Sequence, residues 1–175
     1  MDQKRQRLVE LAQRYQEELN LADDIREDAI RAAHLAKADL VTKMVVEFTE
    51  LQGTMGYIYA LNSGENQRVA TAIKEQYLPK NQNSETPKSM VGILLSIADK
   101  MDSIVGLYAI ENYVTGSRDP FGLRRAALGI INIILENSID VDLKKLISEA
   151  LLVYTEKNAL AFDYDKTVEE CLSFI

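Results

Sequence analysis

The chain has 175 residues, 47% of them hydrophobic, enough to bury one core and too few for two comfortable ones, and its net charge of −7 excludes a protein that coats nucleic acid with its whole surface. One cysteine, Cys171, rules out an internal disulfide and any cysteine-based zinc cluster, and one histidine, His34, rules out every site that needs two imidazoles. No apolar run approaches the roughly 20 residues that span a bilayer and MDQKRQRLVE lacks a signal-peptide core, so a soluble, cytoplasmic chain with no membrane partner is expected.

With eight Gly and three Pro in the whole chain, strong breakers fall in few places and nearly everything reads helical. Leu8, Leu11, Ala12, Tyr15 and Leu19 form the apolar face of a first helix over 3–20, while Lys4, Arg5 and Arg7 read as a solvated charged face. Asp23 and Asp24 offer an N-cap for a second helix through Ile25, Ala29, Ala32, Ala33 and Ala36, running towards Ala38 and Asp39. A third helix is expected from Leu40 to Gln52 on the stripe Val41, Met44, Val45, Phe48 and Leu51, weakened after it by Gly53 and Gly56. Asn62, Ser63 and Gly64 make a turn, and Val69, Ala72, Ile73 and Tyr77 line a short helix that stops before Pro79.

The polar stretch PKNQNSETPK reads as an exposed loop over 79–88, not a domain boundary, because what precedes it is too small to close a core alone. Thr86 as N-cap and Pro87 at the first helical position would launch the longest helix, to about Val114, with Leu94, Ile97, Ala98, Met101, Ile104, Val105 and Tyr108 on one face. A second exposed loop, near 115–120, ends in the cap pair Asp119 and Pro120. The run AALGIINIIL after it is apolar on nearly all sides and is expected at the centre of the core. Val141, Leu143, Leu146, Ile147, Ala150, Leu151 and Tyr154 form one more stripe, and Val168, Cys171, Leu172 and Ile175 begin another. That last stripe ends without a cap, which suggests a piece cut from something longer; the alternative is a natural C-terminal helix docked on the core. The whole is expected to be one all-α domain over 1–175, with about seven or eight helices.

Four stretches carry a family resemblance: RAAHLAKADLVTKMVVEFTELQGTMG at 31–56, EQYLP at 75–79, SIADKMDSIVG at 96–106 and TGSRDPFGLRRAALGI at 116–130. Together they resemble the middle of the bacterial glycyl-tRNA synthetase β subunit, over roughly residues 26–136. The resemblance implies an α2β2 ligase that joins glycine to its tRNA, with ATP and magnesium used on the α subunit and no cofactor on this piece. The partners implied are the α subunit, tRNA(Gly) and a second β chain. The piece itself would be a non-catalytic helical module for tRNA contact and α/β assembly.

The matched region is also similar to the HD superfamily of metal phosphohydrolases, and the helix arrangement is expected from that likeness. A working HD centre needs a histidine directly before an aspartate, further histidines and a distal aspartate. Here Asp39 follows Ala38, Asp99 matches the distal aspartate, and Gln76 stands where a histidine would. The site is therefore expected to be degenerate, without metal and without catalytic residues; the alternative is an HD-type phosphohydrolase built on Asp39, Asp99 and Asp102 or His34.

The residues also have plainer readings. Asp39 caps a helix near Leu40 or makes a structural hydrogen bond; Asp99 needs a partner, with Lys37 or Arg31 in reach; His34 is packed or at the solvent edge; Cys171 is a small core residue. Of Tyr57, Tyr59 and Tyr77, at least two belong in the core, and a base-stacking role is the other option. The candidate tRNA contacts are Arg118, Arg124 and Arg125, beside a helix N-terminus that suits phosphate, together with Lys37. No Gly-rich phosphate loop occurs, and ATP binding is not expected here.

Overall fold

Nine α-helices organise the residues described by the computed structural model, which are 2–81, 83–110, 119, 121–157 and 162–175, and no strand occurs among them. The class is all-α, and one hydrophobic cluster runs from Leu8 to Cys171. Helix α1 (Asp2–Glu18) buries Leu8, Leu11, Ala12 and Tyr15, and the Tyr15 hydroxyl donates to the Leu146 carbonyl at 2.7 Å, which satisfies the one polar atom that this face buries. Helix α2 (Asp23–Leu35) lays Ala29, Ala32 and Ala33 against α1. Its N-cap is Ala22, not an aspartate; Asp23 and Asp24 instead fill the first turn, where their charge favours the helix dipole.

The expected third helix is broken into pieces. Lys37 turns the chain at φ +65°, residues Ala38–Val41 form a 3-10 turn, α3 (Lys43–Glu47) follows the Thr42 cap, Thr49–Leu51 is another 3-10 turn, and α4 (Thr54–Asn62) begins after Gly53 at φ +79°. The cause is Asp39. Its buried carboxylate accepts from the Gly53 amide at 2.6 Å, whereas a straight helix would hold those residues about 20 Å apart. The apolar stripe of this segment consequently faces solvent, with Val41 69% and Phe48 48% exposed; only Val45 is buried.

Gly64, at φ +87°, completes the predicted turn, and α5 (Gln67–Glu75) is capped by the Asn66 side chain, which accepts from the Val69 amide at 2.9 Å. The long helix α6 (Met90–Ala109) starts later than Pro87 because Ser89 is its cap, accepting from the Gly92 amide at 3.0 Å. Glu75 takes the Lys88 and Ser89 amides at 3.1 Å, so that backbone is committed before the helix begins. Thr86 is buried and donates to Glu136 at 2.7 Å instead of capping. Of the loop near 115–120, only Asp119 lies within the described residues.

Helix α6 is the centre of the molecule, touching α1, α2 and α5 and then α7 (Leu123–Glu136), α8 (Leu143–Lys157) and α9 (Tyr164–Phe174). The expectation that AALGIINIIL is central is overturned. Helix α7 packs Leu123, Ala127, Ile130 and Ile133 on α6 and leaves Leu128 51% and Leu135 70% exposed. Its N-cap is Gly122 at φ +70°, and Asp119 reaches past it to accept from the Leu123 amide at 2.7 Å. Helix α9 docks Val168 and Cys171 on the core, with Leu172 and Ile175 packed against it.

Candidate functional site

The two positions of the HD-like pattern lie beside a row of buried charges where the N-terminus of α1 and the turn after α2 meet the middle of α6. Asp99 sits between two ammonium groups, Lys37 Nζ at 2.7 Å from Oδ2 and Lys4 Nζ at 3.0 Å from Oδ1. One helical turn on, Asp102, 1% exposed, receives Arg7 through Nε at 2.6 Å and a second guanidinium nitrogen at 3.1 Å, and Lys4 at 3.2 Å. Lys4 also donates to the Ser103 hydroxyl at 2.8 Å and to the Asp99 carbonyl at 3.2 Å. Arg7 lies over the Tyr154 ring at 4.3 Å, and Lys37 over the Tyr77 ring at 4.1 Å.

The electrostatics follow from this cage. Burial pushes the Asp99 carboxyl up, but the Lys37 and Lys4 charges outweigh it and bring it down to about 2. Burial pulls both lysines down; for Lys4 the Asp99 and Asp102 carboxylates win and the ammonium is strengthened, whereas for Lys37 burial wins. Burial and then Asp102 push the Tyr154 phenol up to about 12.

Asp39 is occupied elsewhere: besides the Gly53 amide it accepts from the Tyr77 hydroxyl at 3.1 Å, so it is a structural hydrogen-bond acceptor and not a helix cap. The donor set does not suit a metal. Ala38 has no ligating atom, Gln76 spends its Nε2 on the Ile73 carbonyl at 2.8 Å, the Asp99 carboxylate is neutralised by two ammonium groups, and no three His, Cys, Asp or Glu among the described residues could share an ion.

Of the partners suggested for Asp99, Lys37 is the one realised, while Arg31 pairs at the surface with Glu65. His34 is exposed, its Nδ1 3.2 Å from the Arg5 guanidinium. Cys171 is buried, and burial pushes its thiol up to about 12. Tyr57 and Tyr77 are partly buried and hydrogen-bonded, while Tyr59 is exposed.

Among the candidate tRNA contacts, Lys37 is turned inward by its ion pair. Arg118 lies outside the described residues. Arg124 and Arg125 stand in the first turn of α7, and Arg125 folds back towards Gly122 with its Nε 3.9 Å from Asp119. Its side chain is 68% exposed.

The functional charges that sequence reading passed over are Lys4 and Arg7, which it took as solvated. A signal was present, since residues 4, 8, 11 and 15 share one helix face and Lys4 extends the buried stripe of Leu8, Leu11 and Tyr15. Lys100 was missed as well. Its ammonium donates to the Leu78 carbonyl at 2.6 Å and the Ser96 hydroxyl at 2.7 Å, and burial, only partly offset by Asp99, lowers it to about 8.

Comparison with known proteins agrees over the whole length. The family model described as "Glycyl-tRNA synthetase beta subunit" matches residues 1–175. The glycine–tRNA ligase beta subunit of Buchnera aphidicola subsp. Schizaphis graminum is 54% identical over 132 residues, covering 75% of this chain and 19% of that protein. The one from Clostridioides difficile is 49% identical over 168 residues, covering 96% of this chain and 24% of that protein. The one from Colwellia psychrerythraea is 40% identical over 172 residues, covering 98% and 24%. The chain thus spans a quarter or less of the length of these relatives. With a family match over residues 1–175 and relatives 40–54% identical, the chain belongs to the glycyl-tRNA synthetase beta subunit family.

Proposed function

We propose that this chain is a non-catalytic helical module of a cytoplasmic glycine–tRNA ligase. It works by contact with tRNA(Gly) and by assembly with the α subunit, on which ATP and magnesium are used. The observation that carries the tRNA reading is the pair Arg124 and Arg125 in the first turn of α7. The helix dipole disfavours cations there, at a cost of about 0.3–1 kcal/mol each, so the placement does not serve the helix. Backbone donors, the positive dipole end and two guanidinium forks together suit a phosphate backbone. The inward-facing charges have the other role: Lys4, Lys37 and Arg7 hold Asp99 and Asp102, and so lock α1 and the α2 turn onto α6. An HD-type hydrolase finds no support in this donor set.

The test is binding of the chain to tRNA(Gly) across a salt series, beside an Arg124→Glu, Arg125→Glu double variant. Each phosphate contact steepens the slope of log affinity against log salt by slightly under one unit, so the variant is expected to bind about tenfold or more weakly at low salt and to flatten the slope by about two. Equal affinity and slope in both proteins would leave a structural spacer that contacts only protein.

A further inference from the structure

Beside the ion-paired centre, an open cleft of about 550 Å³ lies between α6, the first turn of α7 and the segments around Gln52 and Pro79. The charge network borders it through Asp99 and Ser103, while Lys100, Lys80 and Arg125 are not part of that network's ion pairs. Three cations line it: Lys100 in its wall, and Lys80 and Arg125 towards its rim. Lys100 is fixed in place, its stem passing so close to Gly129 that a Cβ there would fall 2.9 Å from Cε, and its two hydrogen bonds leave one ammonium proton uncommitted. Gln76, fully buried in the same wall, supplies the second observation. The Ile73 carbonyl can only accept, so Nε2 must face it, and Oε1 is left as a buried acceptor without a donor among the described residues. Such an acceptor is unfavourable in the folded chain, and a ligand hydroxyl would supply the missing donor. Two carboxylates also line the cleft, Glu50 and Asp99, and Asp99 is already neutralised by Lys37 and Lys4.

We infer that this cleft binds a ribose-phosphate group, its phosphate seated on Lys100, Lys80 and Arg125 and a sugar hydroxyl donating to Gln76 Oε1. The volume falls in the range of ordinary small-ligand sites. Phe121, exposed at the rim, offers a face on which an attached base can stack. A free nucleotide and the backbone of bound RNA share this chemistry.

The experiment titrates the chain with AMP, and with inorganic phosphate, by amide chemical-shift changes. Saturable AMP binding is expected, weakened about tenfold or more in Lys100→Met and in Arg125→Ala and retained in Lys100→Arg. The pH profile separates a ligand contact from a structural role. Phosphate is fully ionised above about pH 7, so affinity in the native chain should fall from pH 7 to 9 as Lys100, flanked by Asp99, Lys37 and Lys4, loses its proton, and should not fall in Lys100→Arg. Displacement of AMP by tRNA(Gly) would identify the RNA backbone as the natural source, and its persistence a free nucleotide. No saturable AMP binding, or equal binding by Lys100→Met, overturns the inference. Because Arg124 does not line the cleft, tRNA affinity that survives Lys100→Met but not Arg124→Glu would leave the tRNA reading standing by itself.

Discussion

Replacing Asp99 by alanine is expected to cost about 3–5 kcal/mol and to lower the unfolding midpoint by about 10 °C, because it strands the Lys37 ammonium beside the core without a counter-charge and leaves Lys4 with Asp102 alone. The cost lies in the orphaned charges more than in the lost attraction. A triple variant, Asp99→Leu with Lys37→Met and Lys4→Met, should therefore recover much of the loss, since an apolar replacement of a whole buried ion cluster is often neutral. Acid provides an independent check. The folded-state pKa of Asp99 is depressed, from 3.8 to about 2, so its contribution is present above about pH 4 and disappears as pH falls through 2. That shift corresponds to roughly 2 kcal/mol, which Asp99→Ala should lack when stability is followed by denaturant titration between pH 5 and 2. A variant that unfolds at the native midpoint would show that the cluster contributes no stability.

Leu94→Ala is the second large effect, at about 3–5 kcal/mol, because Leu94 is fully buried on α6, which touches six other helices among the described residues, so that neighbours held on several sides limit how far the cavity can close. Its counterpart is Leu135→Ala, expected within about 0.5 kcal/mol since that side chain is 70% exposed on the outer face of α7. Chemical denaturation of the two variants measures the contrast. Similar costs at both positions would return α7 to the centre of the core.

The two leucines also mark what periodicity can and cannot reveal. The apolar faces of α1, α5 and α8 were legible because each helix sets a buried stripe against a polar one, whereas α6 showed one face and is buried on nearly every side, Val91–Ala98 without a break. In AALGIINIIL the apolar residues surround the helix, and nothing local tells which side meets α6. The segment over 38–53 misled for a different reason. Its spacing is helical, yet one hydrogen bond from the Gly53 amide to the Asp39 carboxylate folds it back, and tertiary geometry overrides local propensity.

Within the site, the need of Asp99 for a partner was legible from the apolar residues on its side of the helix, and of the two partners expected, Lys37 and Arg31, the structure brings Lys37 to it. Lys4 was not legible. It lies 95 residues from Asp99, and only its place on the Leu8, Leu11 and Tyr15 face hinted that its charge points inward. Lys100 was not legible, because beside Ser96 one turn back on its own helix its environment is made by Leu78 and Gly129 arriving from two other segments.

In this centre ammonium and guanidinium groups stand against the carboxylates Asp99 and Asp102, and on the proposed reading it braces the fold instead of activating water. The most direct test is elemental analysis of the purified chain after incubation with manganese, iron, nickel and magnesium, combined with assays on nucleotides and a model phosphodiester. Expected are no stoichiometric metal and no hydrolysis, in the native chain and in Asp39→Ala alike. One tightly held ion per chain, lost in Asp39→Ala or Asp99→Ala together with hydrolysis, would contradict it and restore a catalytic metal centre.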